Sequence, residues 1–455
     1  MTIDPGIFKA YDVRGTYPDQ ITDDIAYRLG RGVVAVLGAD RVAVGRDMRL
    51  SSPALAKALL QGITDQGADA VDLGEVSSDE LYFAVGKYGY PAGVMVTASH
   101  NPGKYNGIKV CRENAAPVSS TTGFEKIKEM VLSDEYPPVT RKGQITQQEV
   151  LPGFVTHVLS FLKESQSGDA STLRPMTIVV DAGNGMAGKI VPAVFASLPI
   201  KVIPLYFELD GHFPNHPASP IEPENMVDLQ KAVREHHADL GAAFDGDADR
   251  IFLTNEHGDL VDGSMVTAMV AKNILGKHPG STILYNLICS RSVPEVIEKA
   301  GGTAVRTRVG HSFIKAQMRE RNAIFGGEHS GHFYYRDNWF ADSGIITLLL
   351  VLELLSEEGK SVSEVLKPLD SRFRSGEINS HVADIPGKIE EIQRRYKDGK
   401  IDHLDGITIQ YDSWWFNVRA SNTEPLIRLN VEADTRDQME QKRDELLALI
   451  RAPGA

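Results

Sequence analysis

At 455 residues the chain is too long for one ordinary hydrophobic core, so three or four domains are expected. Hydrophobic residues make up 42% and charged residues 24%, the balance of a globular protein. Its 61 acidic against 48 basic side chains give a formal charge of −13, which repels nucleic acid and anionic membrane and leaves only a local positive cleft to hold a small anion.

No apolar run is long enough to cross a bilayer, and the longest, over 345–355, reads as a buried helix. The opening Met1-Thr2-Ile3-Asp4-Pro5 has neither the basic start nor the apolar stretch of a signal peptide. Cys111 and Cys289 lie far apart without metal-ligand spacing, so each is expected to be a small core residue, and the chain a cytoplasmic one.

The elements then repeat a pattern. A strand is predicted over 41–44, an Ala/Leu-rich helix from about Ser52, and strands over 68–73 and 92–96; the last runs into Thr97-Ala98-Ser99-His100-Asn101-Pro102. The second unit has a strand over 177–180, a turn over 181–185, a helix over 187–198, and strands over 201–205 and 240–244, ending in Asp245-Gly246-Asp247-Ala248-Asp249-Arg250. Strands over 282–285, 302–306 and 323–325 form the third, ending in Gly326-Gly327-Glu328-His329-Ser330-Gly331-His332. In each, the polar loop follows the third strand, where ligands of such sheets bind. From about Ser371 the pattern changes: a charged helix over 388–397, strands over 406–411, 415–419 and 426–431, and an amphipathic helix over 435–450. The expectation is an α/β fold: three similar mixed α/β domains with repeated topology plus a smaller C-terminal α+β domain, around a central cleft. The divisions are 1–153, 154–257, 258–370 and 371–455.

Asp245, Asp247 and Asp249 alternate, so their carboxylates share one side of an extended loop, a hard-oxygen set suited to Mg²⁺. Two other readings fit parts of the pattern. A calcium loop would use Glu256 as its twelfth position, but Arg250 stands where its sharp turn requires glycine. A phosphatase with Asp245 as nucleophile usually has Thr or Val where Asp249 stands. Ser99 lacks a Gly-x-Ser-x-Gly elbow, which argues against acyl transfer. As a phosphate carrier it needs charge around it, and Arg250 and His100 are candidates to supply that. Glu328 and Ser330 are suited to sugar hydroxyls, and His332 to proton transfer. Arg419-Ala420-Ser421-Asn422-Thr423-Glu424-Pro425, followed by Arg428, is an anion cradle.

In this order and combination, the four loops resemble the signature loops of the α-D-phosphohexomutases, and the resemblance covers essentially the whole chain. It implies four domains around a cleft, a phosphoserine at Ser99, Mg²⁺ on Asp245, Asp247 and Asp249 with the Ser99 phosphate, and a hexose 1,6-bisphosphate intermediate. Glu328 and Ser330 would select the sugar, and Arg419, Ser421, Asn422 and Thr423 would hold the non-reacting phosphate. The segments 8–15, 105–109 and 309–311 match as well, placing Tyr11, Arg14, Lys109 and His311 near the cleft. Lys109 and Arg14 are then rivals of His332 for proton transfer or charge stabilisation. The Arg-Ala-Ser-Asn-Thr form resembles the phosphomannomutase/phosphoglucomutase branch rather than the phosphoglucosamine mutases. Ser77-Ser78-Asp79 departs from the family's common Thr-Pro pair and is expected to leave the catalytic roles untouched. The expected partners are small hexose phosphates, with no obligatory protein partner. Readings of another class are the Asp-nucleophile phosphatase, a non-catalytic sugar-phosphate sensor and a calcium-binding module.

Overall fold

The computed structural model describes residues 3–9, 11–162, 173–421 and 426–452, with the side chain of His311 outside the description. Three sheets share one strand order. In the first unit it runs Asp69–Glu75, Arg41–Arg46, Ala92–Val96, Tyr105–Arg112, Asp12–Thr16. In the second it runs Ile200–Leu205, Met176–Asp181, Leu240–Phe244, Ile251–Thr254, Leu260–Val261, and in the third Thr303–Thr307, Thr282–Asn286, Phe325–Gly327, Phe333–Tyr335, Ala341–Asp342. The first three strands of each list are parallel, and the fourth returns antiparallel. Each polar loop predicted from sequence therefore spans the hairpin between a parallel strand and its antiparallel neighbour, and all three occupy the same topological position.

The returning strands were not expected from sequence. Tyr105–Arg112 carries Gly107, which breaks the apolar run yet is required, because a Cβ there would stand 2.6 Å from the Val13 carbonyl and 2.7 Å from that of Thr97. The strand expected over 323–325 begins two residues later, because the Ala323 N–H still bonds Met318 O in closing the preceding helix, His311–Arg321.

The predicted buried helix is Gly344–Glu358, fully covered from Gly344 to Leu355. Its Ser343 cap accepts from Ile346 N, and Gly359 ends it in the left-handed conformation. It anchors an apolar core common to the second and third units, into which Met48 and Phe83 of the first also reach. No helix among the described residues is long and apolar enough to cross a membrane.

The C-terminal unit is an antiparallel sheet of Phe373–Arg374 and Ile378–His381 against Leu426–Ala433, then Trp414–Ala420, Ile407–Gln410 and Lys400–Asp402. Helices Ile385–Arg395 and Arg436–Arg451 cover it over a separate core that includes Ile392, Phe416 and Leu446. It meets the third unit through polar contacts: Arg291 donates to Tyr411 O at 2.9 Å, Arg372 pairs with Glu295 at 2.7 Å, and Arg306 pairs with Asp402.

Candidate active site

Ser99 leaves the strand Ala92–Val96 in the left-handed conformation, with φ of +52°. Such a backbone in a non-glycine residue persists only where its surroundings impose it. Arg49 imposes it here. Its guanidinium is fully buried and donates to the carbonyls of Ser99 (2.7 Å), Asn101 (2.6 Å), Pro102 (3.0 Å) and Tyr105 (3.0 Å). Asp47 pairs with it at 3.2 Å and also accepts from Ser52 Oγ at 2.6 Å. The Ser99 hydroxyl donates to Asp245 Oδ2 at 2.6 Å and accepts from Arg250 Nη2 at 3.0 Å. His100 Nδ1 contacts Arg250 Nη2, and the nearby guanidinium, with burial, holds His100 well below the usual imidazole range. A neutral His100 is thus the form beside Ser99.

The acidic loop closes on itself. Arg250 Nε donates to Asp245 Oδ2 at 2.9 Å and its N–H to Oδ1 at 3.2 Å. Burial pushes Asp245 up to about 6, with Arg250 opposing. Lys109 Nζ reaches Asp247 Oδ2 at 2.7 Å and Asp249 Oδ2 at 2.8 Å. Against burial, Lys109 holds Asp247 far below the usual carboxylate range, and the two carboxylates hold Lys109 well above the usual lysine value. Each of the three aspartates offers an oxygen within 4.8 Å of the others. Oδ1 of Asp247 and of Asp249 is buried without a hydrogen-bond partner. Buried anionic oxygens left open in this way fit a hard divalent cation such as Mg²⁺. Glu256 is turned away to accept from Ser363 N at 3.2 Å, so the calcium-loop reading lacks its bidentate ligand.

His332 follows the third loop and pairs through Nδ1 with Asp342 Oδ2 at 2.8 Å; Lys315 holds the other oxygen of Asp342 at 2.6 Å. Burial opposes a charge on His332, but the Asp342 hydrogen bond prevails and its pKa is raised. Glu328 is buried, accepting from Gly310 N at 3.0 Å and Tyr334 OH at 2.7 Å. Ser330 is half-buried beside it.

In the C-terminal unit, Glu377 joins Arg419 to Arg428, the latter at 3.0 Å, and Arg428 also donates to Ser421 Oγ at 3.3 Å. Asn422 and Thr423 lie outside the described residues, as does the His311 side chain. Burial lowers the pKa of His329, with the charges of Glu377 and Arg419 also acting on it.

One cavity gathers Tyr11, Arg14, Ser99, His100, Lys109, Asp249, Arg250 and His332. Within it Arg14 donates to Asn101 Oδ1 at 2.7 Å and pairs with Asp12 at 2.6 Å. Glu328, Ser330 and the cradle arginines stand outside that lining. The 77–79 segment, expected to leave the catalytic roles untouched, contacts the acidic loop: Ser78 Oγ donates to Asp247 Oδ2 at 2.5 Å. Sequence reasoning missed Arg49, Asp47, Asp342, Lys315 and Glu377. A charge pair two residues apart directly after a buried strand was the available signal for Asp47 and Arg49.

Models of phosphoglucomutase/phosphomannomutase match the whole succession of units: alpha/beta/alpha domain I at 5–137, domain II at 152–258, domain III at 262–372 and the C-terminal domain at 377–449. The chain belongs to the phosphoglucomutase/phosphomannomutase family. A phosphomannomutase of Escherichia coli is 40% identical over 456 residues, covering 98% of this chain and 99% of its own. The phosphomannomutase/phosphoglucomutase of Pseudomonas aeruginosa is 37% identical, covering 97% and 94%. A crystal structure of a phosphoglucomutase/phosphomannomutase family protein from Burkholderia thailandensis, 30% identical, superposes with a TM-score of 0.89 over 100% of this chain and 99% of its own. Membership of the phosphoglucomutase/phosphomannomutase family accounts for the resemblance of all four loops, and the phosphatase, sensor and calcium-module readings give way to it.

Proposed function

We propose that the protein interconverts mannose 6-phosphate and mannose 1-phosphate, carrying the transferable phosphate on Ser99 and passing through a hexose 1,6-bisphosphate. The observation that carries this reading is the Ser99 hydroxyl held between Asp245 Oδ2 and Arg250 Nη2 in the cavity reached by His332. Glucose phosphate is the second substrate, favoured by the double name of the Pseudomonas aeruginosa relative. The units 1–153, 154–257, 258–370 and 371–455 then contribute in turn the phosphoserine, metal, sugar and phosphate loops of a cytoplasmic enzyme.

In this mechanism the bond from phosphorus to Ser99 Oγ breaks as a bond to the sugar O1 forms. Arg250 donates to the departing serine oxygen and offsets its charge. Asp245, Asp247 and Asp249 would hold Mg²⁺, which would supply further positive charge to polarise the phosphorus. His332, with Nδ1–H donated to Asp342, presents Nε2 as acceptor for the sugar hydroxyl proton. Arg14 and Lys109 add positive charge to the cavity. Arg419, Ser421 and Arg428, with Asn422 and Thr423, hold the phosphate that does not react, and Glu328 and Ser330 read the sugar hydroxyls. The bisphosphate then reverses without leaving, and its 6-phosphate returns to Ser99.

The test compares kcat/KM for mannose, glucose and glucosamine 1-phosphates, each with its bisphosphate activator, alongside mass mapping of phosphate. Turnover of the mannose substrate with phosphate on Ser99 is expected. A preference for glucosamine 1-phosphate, or phosphate on Asp245 in place of Ser99, would overturn the reading.

A further inference from the structure

The helix Ser78–Tyr88 starts where three units meet. Ser77 and Glu80 form a reciprocal capping box, so the first turn is fixed by its own side chains. From that turn, Ser78 grips the second unit twice: its N–H donates to the Asp247 carbonyl at 3.1 Å, and its Oγ donates to Asp247 Oδ2 at 2.5 Å. Asp79 reaches the third unit, accepting from Ser343 Oγ at 2.9 Å. Ser78 and Asp247 are both fully buried.

The two oxygens of Asp247 are treated differently. Oδ2 accepts from Ser78 and from Lys109 Nζ at 2.7 Å, whereas Oδ1 is buried with no partner. Asp245, in the same loop, has both oxygens engaged by Arg250 and Ser99. A carboxylate tied at one oxygen and at its own main chain has its rotamer set before any ligand arrives, and its free oxygen has one direction. Lys109 does not do this alone, because its long side chain divides its contacts between Asp247 and Asp249.

We propose that Ser78 is a positioning residue for divalent-cation binding, which orients Asp247 so that its Oδ1 faces the ion held by the acidic loop. This rests on the reading of Asp245, Asp247 and Asp249 as metal ligands. Removing a hydrogen bond that orients a metal ligand costs about 10- to 100-fold in affinity.

The experiment titrates the full-length, chelator-stripped protein with Mn²⁺, reading free Mn²⁺ by electron paramagnetic resonance, with Mg²⁺ as competitor and no sugar phosphate present. Ser78→Ala should raise the Kd about 10- to 100-fold, and Ser78→Thr, which keeps the hydroxyl, should bind at least about tenfold more tightly than Ser78→Ala. Mutase turnover of Ser78→Ala should recover as Mg²⁺ is raised, which a packing defect would not do. Wild-type Mn²⁺ affinity in Ser78→Ala overturns the proposal, as does an affinity loss that Ser78→Thr shares in full. Asp247→Asn in the same titration separates the two levels of inference: unchanged binding there removes the acidic loop as the metal site, whereas lost binding there with none lost in Ser78→Ala removes only the role of Ser78.

Discussion

The Ser99 hydroxyl donates to Asp245 Oδ2 across 2.6 Å, joining two units whose residues stand 146 positions apart in the chain. The approach depends on Gly246, where a Cβ would lie 2.5 Å from the Ser99 carbonyl. Two loops made by different sheets are thereby brought to backbone contact, and the acceptor of the hydroxyl is one of the acidic-loop carboxylates.

Ser99→Ala should lower kcat by at least about 10³-fold while leaving the affinity for mannose 6-phosphate close to wild type. Coupled mutase assays and calorimetric titration check the two quantities separately. Full turnover in this variant would sink the phosphoserine mechanism.

Arg419→Ala should act mainly on binding. A charge-assisted hydrogen bond to phosphate is worth about 1.5–3 kcal/mol, so KM for the hexose phosphate should rise about 10- to 100-fold with a smaller change in kcat. Arg419 is buried and already paired with Glu377, so its position is defined before substrate enters. A variant whose kcat falls with KM unchanged would place Arg419 in the chemistry instead.

Arg49→Met should lower both stability and kcat. It leaves the buried Asp47 carboxyl without its partner, at about 3–5 kcal/mol, and removes the donor to four loop carbonyls. Chemical denaturation measures the first effect. Single-turnover transfer from phosphorylated enzyme to mannose 6-phosphate measures the second, and wild-type transfer in a folded variant would show that the Ser99 loop holds its shape unaided.

The acid side of the stability profile should carry a signature of His157. Its Nε2 donates to Asn338 Oδ1 at 2.9 Å, and its ring lies 5.2 Å from Phe83 and 5.1 Å from Trp339. Burial lowers its pKa against the hydrogen bond to Asn338. The unfolded chain therefore takes up this proton first, so the stability contributed here is present above the ordinary imidazole value of about 6.5 and is lost as pH falls from there toward the lowered folded value. Urea unfolding of wild type and His157→Gln across that interval checks the sign: the wild-type advantage should shrink on acidification, and growth of it would refute the assignment.

The repeat was legible because apolar strands and the polar loops after them alternate regularly, so Ser99, Asp245 to Asp249 and Glu328 to His332 declared their common position. What stayed hidden was whatever depended on contact between units. Ser78 is one polar residue of the Ser77-Ser78-Asp79 run, and only packing brings it to Asp247. Lys315 lies mid-helix in a polar stretch, yet folding buries it against Asp342 and 4.6 Å from the Tyr82 ring. The returning strands were missed because Gly107 interrupts the first, while Ile251–Thr254 and Phe333–Tyr335 are only four and three residues long.

Asp79 has a consequence for how the protein is made. Its carboxyl is buried, and burial raises its pKa well above the usual carboxylate value; its partner Ser343 is translated 264 residues later. At roughly 5–20 residues per second, a nascent chain carries that acid without this partner for about 13–50 s. The N-terminal unit thus leaves the ribosome with one polar end unfinished, and ribosome-bound chains halted before Ser343 should be more open to protease at the start of the helix Ser78–Tyr88 than chains halted after it.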